Sequence, residues 1–207
     1  MGDSLVLTLI RHGLTTYNEE KRYIGVTDLP LSALGKAQLV SVNVEEEQLL
    51  ITSDLLRCKE TAERLFPGKS YICLSDLREI DFGDWEGKTY DQLKDDAYYR
   101  EWLDDPLSIT PPSGESFVHF QMRIERAFCD VLSLVEKNDA TYATIVTHGG
   151  VIRQMLTSLA PEKRVFFEWD VPIGRAFKLI GNKADARRGL RFTSLLEGPI
   201  TAKTNGL

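Results

Sequence analysis

Apolar residues along the chain fall into short continuous runs, which alternate with stretches where apolar positions recur every three or four residues. The runs are typical of buried strands, and the periodic stretches are typical of helices that bury one face. The clearest periodic stretch, Phe117–Glu136, predicts one long amphipathic helix. Strands that alternate with helices favour an α/β domain. We therefore expect a three-layer α/β/α sandwich with a mainly parallel central sheet.

This alternation sets the expected positions of the strands and helices. Strands are expected at Leu5–Ile10, Leu49–Thr52, Tyr71–Leu74, Ala143–Thr147, Ala176–Ile180 and Leu190–Leu196. Helices are expected at Ser32–Val44, Leu56–Leu65, Phe117–Glu136 and Val151–Leu159. Ser32 is the predicted N-cap of the first helix, since serine side chains cap helix N-termini well.

Residues 81–112 interrupt the alternation. Between positions 81 and 105 there are nine Asp or Glu, three Lys or Arg and six aromatic residues, and several of the aromatics sit among charges. Two interpretations are open: a solvated acidic helix pair with its own small core, or a cap over the mouth of a site. We expect residues 1–207 to form a single domain, with residues 81–112 as a small helical cap insertion.

The charge balance limits the possible partners. The 207 residues include 25 Lys or Arg and 31 Asp or Glu, a formal charge of −6. Binding to nucleic acid or to an anionic membrane requires a basic face, so neither partner is expected. Any phosphate chemistry must instead come from a local pocket of positive charge, which suits a small-molecule phosphate ester.

The cysteines and the N-terminal segment favour a cytoplasmic protein. Cys58, Cys73 and Cys129 are odd in number and widely spaced, which is typical of free thiols in a reducing compartment. The first apolar run ends at Arg11, too early for a signal peptide or a membrane span. These residues give no indication of the oligomeric state.

Two of the three histidines follow directly after predicted strands and directly precede glycine: His12 in LIRHG and His148 in VTHGG. Arg11 adjoins the first, while Arg57 and Glu79 follow shortly after the next two predicted strands. Ligands of open α/β sheets bind at the carboxyl ends of the strands. If those strands are parallel neighbours, these five side chains converge in one cleft.

Two guanidinium groups and two imidazoles at a strand-end rim predict a phosphate site. The backbone N–H groups of Gly13 and Gly149 could add support for an anion at helix starts. Taken singly, an Arg or His in a loop is more often an ordinary surface or hydrogen-bonding group. His119, inside a predicted helix, is interpreted that way. No His and carboxylate cluster has metal-ligand spacing, so neither a metal nor another cofactor is expected.

Six ordered segments of this chain resemble the histidine phosphatase superfamily, also called phosphoglycerate-mutase-like. They are LIRHGLTTYN at Leu9–Asn18, YIGVTDLPLSALGKAQ at Tyr23–Gln38, TSDLLRCKETAERL at Thr52–Leu65, LREIDFGDWEG at Leu77–Gly87, PSGES at Pro112–Ser116 and VTHGGVIR at Val146–Arg153. A single R-H-G motif would be weak evidence for the resemblance, but six segments in the family order are strong evidence.

The resemblance implies roles for the five clustered residues. His12 would be the nucleophile beside Arg11, Arg57 and His148 would complete the phosphate pocket, and Glu79 would be the acid and base. To attack phosphorus, the His12 imidazole must be neutral, with one nitrogen bearing its lone pair inward while the other donates to a backbone carbonyl.

The resemblance also implies secondary contacts. Asn18 and the backbone near Ile24 and Gly25 would contact the phosphate or its ester, and Gly149 would lie beside the phosphate. One departure is visible: Leu14 stands where many members of the family carry Glu. The reacting residues are unaffected by it.

The resemblance favours a phosphatase over the alternatives. A phosphoglycerate mutase must hold a second anionic group, whereas the segment after Glu79 is acidic. The size of the chain, the REIDFG block and the PSGES segment look similar to those of α-ribazole phosphatases and broad-specificity phosphatases. Hydrolysis of a phosphate monoester, such as α-ribazole 5′-phosphate, is therefore expected. A cofactor-dependent phosphoglycerate mutase and a non-catalytic phosphate-binding regulatory module are the alternatives.

Overall fold

The computed structural model describes residues 3–42 and 49–200. A six-stranded sheet in the order β3-β2-β4-β1-β5-β6 lies at its centre. The strands are β1 (Ser4–Arg11), β2 (Leu49–Ser53), β3 (Ile72–Leu74), β4 (Tyr142–Thr147), β5 (Arg175–Asn182) and β6 (Ser194–Pro199). The four strands from β3 to β1 pair in parallel, and β5 and β6 add antiparallel to β1 and to each other. The expected mainly parallel sheet is therefore confirmed.

Eight α-helices accompany the sheet in the described residues. They are α1 (Thr16–Glu19), α2 (Ala33–Gln38), α3 (Leu56–Leu65), α4 (Tyr90–Leu93), α5 (Ala97–Asp104), α6 (Phe117–Lys137), α7 (Gly149–Leu159) and α8 (Lys183–Arg187). Short 3-10 turns occupy Ser75–Leu77, Gly83–Trp85 and Phe166–Glu168. None of the helices in this part of the chain has the length and apolarity that a membrane crossing needs.

The two faces of the sheet bury different helices because side chains alternate along each strand. Leu7 and Leu9 of β1 belong to the larger core, which α6 and α7 complete. Ile10 faces the other way and packs in a second core that includes Cys58 and Leu65 of α3. Helices on both faces give the expected α/β/α sandwich.

Two predicted boundaries were wrong. The helix expected at Ser32–Val44 begins with the predicted cap, since the Ser32 hydroxyl accepts from Gly35 N at 3.0 Å, but it ends at Gln38. Leu39 is already extended, and the β-branched residues that follow it favour extended backbone. Val44 lies outside the described residues.

The strand expected at Leu190–Leu196 begins only at Ser194 and runs to Pro199. The preceding residues complete the turn after α8, a helix that the pattern did not predict. Its signal is Asn182, whose side-chain oxygen accepts from Ala184 N at 2.8 Å and Asp185 N at 3.2 Å, as an N-cap does.

The segment predicted as a cap has a small core of its own. Trp85, Leu93 and Tyr99 are buried together, and Tyr23 from the main body packs against them. The two ends of the segment meet, because Asp84 N donates to Pro112 O and Glu115 N donates to Asp81 O, both at 2.9 Å. The assignment of residues 81–112 as a cap insertion within one domain stays a prediction.

Gly83 permits the close approach of these two ends. Its φ is +52°, and a Cβ built there would lie 2.1 Å from the Pro112 carbonyl oxygen. Gly83→Ala therefore adds a steric clash to left-handed strain, and we expect it to lower the free energy of unfolding by about 3 kcal/mol in urea denaturation. Gly68→Ala is the control, since its φ is +78° but no described atom lies within 4 Å of the new Cβ. We expect it to cost only about 1 kcal/mol. Equal losses in the two variants would contradict the clash.

Candidate active site

The carboxyl ends of β1 and β4 bring His12 and His148 together. The two strands are parallel neighbours, and His12 N donates to Thr147 O at 2.9 Å. The ring centroids lie 5.1 Å apart with the ring planes inclined at 62°. Both side chains are buried. The structure thus places the two histidines at the strand-end edge, where the sequence pattern predicted them.

The His12 ring has a defined tautomer. Its Nδ1 lies 2.7 Å from Gly13 O, and a carbonyl can only accept, so Nδ1 carries the hydrogen and Nε2 carries the lone pair. Burial lowers the pKa of His12 well below its usual value, and the nearby positive charges of Arg57 and Arg11 lower it further. At neutral pH His12 is therefore an uncharged imidazole with a free Nε2 lone pair.

Backbone carbonyls anchor one side of each guanidinium group. Arg11 Nη1 donates to Val171 O at 2.7 Å, while Arg57 donates from Nη2 to Gly25 O at 2.6 Å and from Nη1 to Thr27 O at 2.9 Å. The Nε atom of each arginine is buried without a hydrogen-bond partner in the described part of the chain. Burial lowers the pKa of both. Buried donors left unpaired are costly, which is expected where an anion binds.

Glu79 faces the same pocket. Its Oε2 accepts from Gly150 N at 2.9 Å at the start of α7, and its charge raises the pKa of both arginines, opposing the effect of burial. A Cβ on Gly150 would lie 2.3 Å from Glu79 Oε1, so only glycine leaves room for this carboxylate. Thr147 Oγ1 donates to Leu77 O at 2.8 Å, which ties the segment that carries Glu79 to β4.

Two residues that contact His148 were not predicted from the sequence. Its Nε2 lies 2.9 Å from Ser53 Oγ and 3.5 Å from Cys58 Sγ. Burial lowers the pKa of His148 well below its usual value, as do the charge of Arg57 and the proximity of His12. Ser53 and Cys58 adjoin the segment that contains Arg57, but only the fold shows that they meet this imidazole.

The residues that the resemblance assigns to secondary phosphate contacts differ in what they bind in this structure. Asn18 Oδ1 accepts from Thr15 N at 3.0 Å as part of the cap of α1, which leaves the amide nitrogen for any ligand. The Gly25 carbonyl holds Arg57, and Ile24 beside it is half-buried. A Cβ on Gly149 would lie 3.3 Å from the guanidinium carbon of Arg11, so Gly149 borders the pocket.

An ion pair behind Glu79 was also missed. Arg123 binds both carboxylate oxygens of Glu115, at 2.9 and 2.6 Å. Its other N–H groups donate to the carbonyls of Asp76 at 2.9 Å, Arg78 at 2.8 Å and Glu79 at 3.3 Å. Glu115 lies in the PSGES segment, but nothing in the sequence singles out Arg123. The pair fixes the backbone that presents Glu79.

Glu86, in the cap segment, holds the loop that anchors Arg57. Its carboxylate accepts from Val26 N at 2.8 Å and from the backbone N–H of Thr27 at 2.7 Å. The carbonyls on either side of Val26 are those that bind Arg57. The cap segment therefore helps, through this loop, to position the buried guanidinium group of Arg57.

The remaining candidates lie outside this pocket or add nothing to it. His119 is exposed on α6, where its backbone N–H donates to the Ser116 hydroxyl at the helix start. Leu14 makes a backbone contact, since its carbonyl accepts a hydrogen bond from Ser32 N at 2.9 Å. In residues 3–42 and 49–200 no group of three or more His, Cys, Asp or Glu is arranged to hold a metal ion.

Comparisons with known proteins show which family the chain belongs to. The family model of the histidine phosphatase superfamily (branch 1) matches residues 7–174, and the chain belongs to that superfamily. Members of the family are phosphatases or mutases.

Particular relatives carry both kinds of name. A probable phosphoglycerate mutase, GpmB, of Klebsiella pneumoniae (strain 342) is 34% identical over 155 residues, 70% of each chain. The adenosylcobalamin/α-ribazole phosphatase of Escherichia coli (strain K12) is 30% identical over 161 residues, 74% of this chain and 78% of its own. The crystal structure of the α-ribazole phosphatase from Shigella flexneri superposes with a TM-score of 0.81 at 25% identity, covering 97% of this chain and 100% of that one.

The lowered pKa values of His12 and His148 predict a pH-dependent stability. Below pH ~6.5 the unfolded chain binds protons that the two native histidines do not take up, so the free energy of unfolding falls as the pH falls. Between pH 7.5 and 5.5 we expect the wild type to lose about 2–3 kcal/mol more than the variant His12→Gln/His148→Gln, measured by urea denaturation. His119→Gln removes an exposed histidine and should follow the wild-type curve. Parallel curves for the wild type and the double variant would contradict the lowered pKa values.

Proposed function

We propose that the protein hydrolyses a small phosphate monoester through a phosphohistidine formed on His12. One observation carries the proposal: a neutral imidazole, with its Nε2 lone pair free, is electrostatically coupled to two arginines whose buried Nε donors lack a partner in the described residues. Such donors fit the equatorial oxygens of a phosphoryl group, whose charge they would stabilise during transfer.

In the first step, His12 Nε2 attacks phosphorus while the bond to the ester oxygen breaks. Arg11, Arg57 and His148 bind the non-bridging oxygens, and protonated Glu79 gives its proton to the departing alkoxide. The hydrogen bond from His12 Nδ1 to Gly13 O keeps the reacting tautomer in place and supports the positive charge that develops on the ring.

In the second step, the ionised Glu79 takes a proton from water as the water oxygen attacks phosphorus. The bond between phosphorus and Nε2 breaks, inorganic phosphate leaves, and neutral His12 and protonated Glu79 are restored. Asn18, through its amide nitrogen, and the Gly149 backbone are proposed as further phosphate contacts. The backbone at Ile24 and Gly25 is proposed to lie against the ester.

α-Ribazole 5′-phosphate is a candidate substrate, since an α-ribazole phosphatase is among both the sequence and the structural relatives. Residues 81–112, proposed as a cap insertion in a single domain, carry the partly buried ring of Trp102, which is proposed to stack on a flat leaving group. The free cysteines fit a cytoplasmic location.

The second candidate is a phosphoglycerate mutase, favoured by the similarity to GpmB. A mutase must retain a substrate with a second anionic group, and the nine carboxylates between positions 81 and 105 oppose that. A non-catalytic binding module is less consistent with this chain because all five reacting or stabilising side chains are present.

The deciding experiment supplies purified protein with α-ribazole 5′-phosphate and, separately, with 3-phosphoglycerate. We expect released phosphate from the first and little isomerised product from the second. Brief incubation with radiolabelled substrate should leave acid-labile label on the protein, and His12→Ala should lose both label and turnover. Isomerised 3-phosphoglycerate in excess of free phosphate would favour the mutase, and full turnover by His12→Ala would end the assignment.

The proposed role of Glu79 predicts a defect that depends on the leaving group. Glu79→Gln should slow release of alkyl alcohols by about 10²–10⁴-fold, because it cannot donate a proton. Release of p-nitrophenol, which leaves without protonation, should stay fast for one turnover and then stall as phosphohistidine. Stopped-flow absorbance should therefore show a burst equal to the enzyme concentration. Glu63→Gln, which changes an exposed carboxylate on α3, is the control. An equal loss of initial rate for both kinds of ester would contradict the role of Glu79 as general acid.

A further inference from the structure

A groove of about 530 Å³ lies between the cap segment and the residues that follow α7. Tyr23, Trp102 and Leu107 form one wall, and Phe167 forms the other. Phe167 is 55% exposed and Leu107 is 40% exposed. Large apolar side chains at the surface of a concave site are typical of ligand contacts.

The aromatic wall is held in place by its own contacts. Tyr23 Oη and Tyr99 Oη share a hydrogen bond of 2.7 Å, and the ring of Tyr23 meets those of Phe82 and Trp102 at 5.1 and 5.8 Å. Phe167 packs edge-to-face on Phe166 at 5.0 Å. Both walls are therefore preformed, which reduces the entropy lost when a ligand binds.

Each wall is connected to one arginine of the phosphate pocket. Tyr23 precedes by two residues Gly25, whose carbonyl accepts from Arg57. Phe167 precedes by four residues Val171, whose carbonyl accepts from Arg11. Two residues of chain span at most about 7 Å and four about 14 Å, so Tyr23 and Phe167 lie close in the chain to the carbonyls that hold Arg57 and Arg11.

The charge of the groove has one sign. Among the described residues that line it, Asp104 and Asp105 are the charged ones, and no lysine or arginine accompanies them. Asp104 is also the last residue of α5, where the partial negative charge of the helix end adds to that of the carboxylates. A ligand group with a negative charge is repelled here, whereas a neutral or cationic one is not.

We propose that this groove binds the alcohol part of the substrate and selects flat apolar groups without negative charge over anionic ones. The proposal rests on the proposed function, because the groove can act as a leaving-group site only if the phosphoryl group is held at His12. It narrows the substrate class to monophosphates of uncharged or cationic ring systems and excludes phosphoglycerates.

The charge selection is tested with two esters of nearly equal shape, 4-carbamoylphenyl phosphate and 4-carboxyphenyl phosphate. The ratio of their kcat/KM values is measured for the wild type and for Asp104→Asn/Asp105→Asn. We expect the preference for the amide to fall about fivefold in the variant, since a pair of nearby charges has been removed. Intrinsic differences between the leaving groups cancel in this comparison.

A matched control separates local from general charge effects. Asp91→Asn/Asp95→Asn also removes two carboxylates from the cap segment, at exposed positions outside the groove lining. This control should keep the wild-type ratio. An unchanged ratio in Asp104→Asn/Asp105→Asn, or an equal change in the control, overturns the charge selection.

The aromatic contact is tested with Phe167→Ala. We expect KM for 2-naphthyl phosphate to rise about tenfold while kcat/KM for ethyl phosphate stays unchanged, because only the larger ester contacts the ring. Tyr142→Ala is the control, as Tyr142 is exposed at the opposite, amino end of β4. Equal losses for both esters overturn the groove assignment alone. If the wild type hydrolyses none of these esters in a His12-dependent manner, the proposed function fails and this proposal fails with it.

Discussion

The site depends on burying two guanidinium groups next to two neutral imidazoles. Burial lowers the pKa of Arg11, Arg57, His12 and His148, and repulsion by neighbouring positive charge lowers the pKa of Arg11 and of both histidines further. The fold compensates with backbone carbonyls on the two arginines and with the carboxylate of Glu79. The Nε donors of Arg11 and Arg57 stay unpaired within the described residues, and under the proposed function they are the groups that a bound phosphate would pair.

The sheet order determines how these groups meet. β1 and β4 are neighbours near the centre of the sheet, so the residues that follow them lie side by side although 136 positions separate His12 from His148. Gly150, two residues after His148, lets the Glu79 carboxylate approach the start of α7 without obstruction. The two histidines are therefore positioned by paired strands of the central sheet, and groups carried by regular elements are held more precisely than groups on loops.

The sequence allowed the sheet and the central residues to be predicted because hydrophobic runs and strand-end positions are local signals. Leu7 and Leu9 indicate a buried strand, and His12 comes shortly after them at the end of that strand. The end of α2 and the existence of α8 were not predicted, since each depends on weak local preferences that packing decides. Ser53, Cys58, Glu115 and Arg123 were missed for another reason: their importance comes from partners far away in the chain, and no spacing encodes those contacts.

The contact between Glu86 and the loop at Val26 and Thr27 has a consequence for how such proteins diversify. The segment that is proposed to contact the leaving group also fixes, through Glu86, the loop whose two carbonyls hold the side chain of Arg57. Exchange of the whole segment between homologues would disturb that support unless Glu86 or an equivalent acceptor were retained. A transplanted segment therefore has to supply its own acceptor for the N–H groups of Val26 and Thr27.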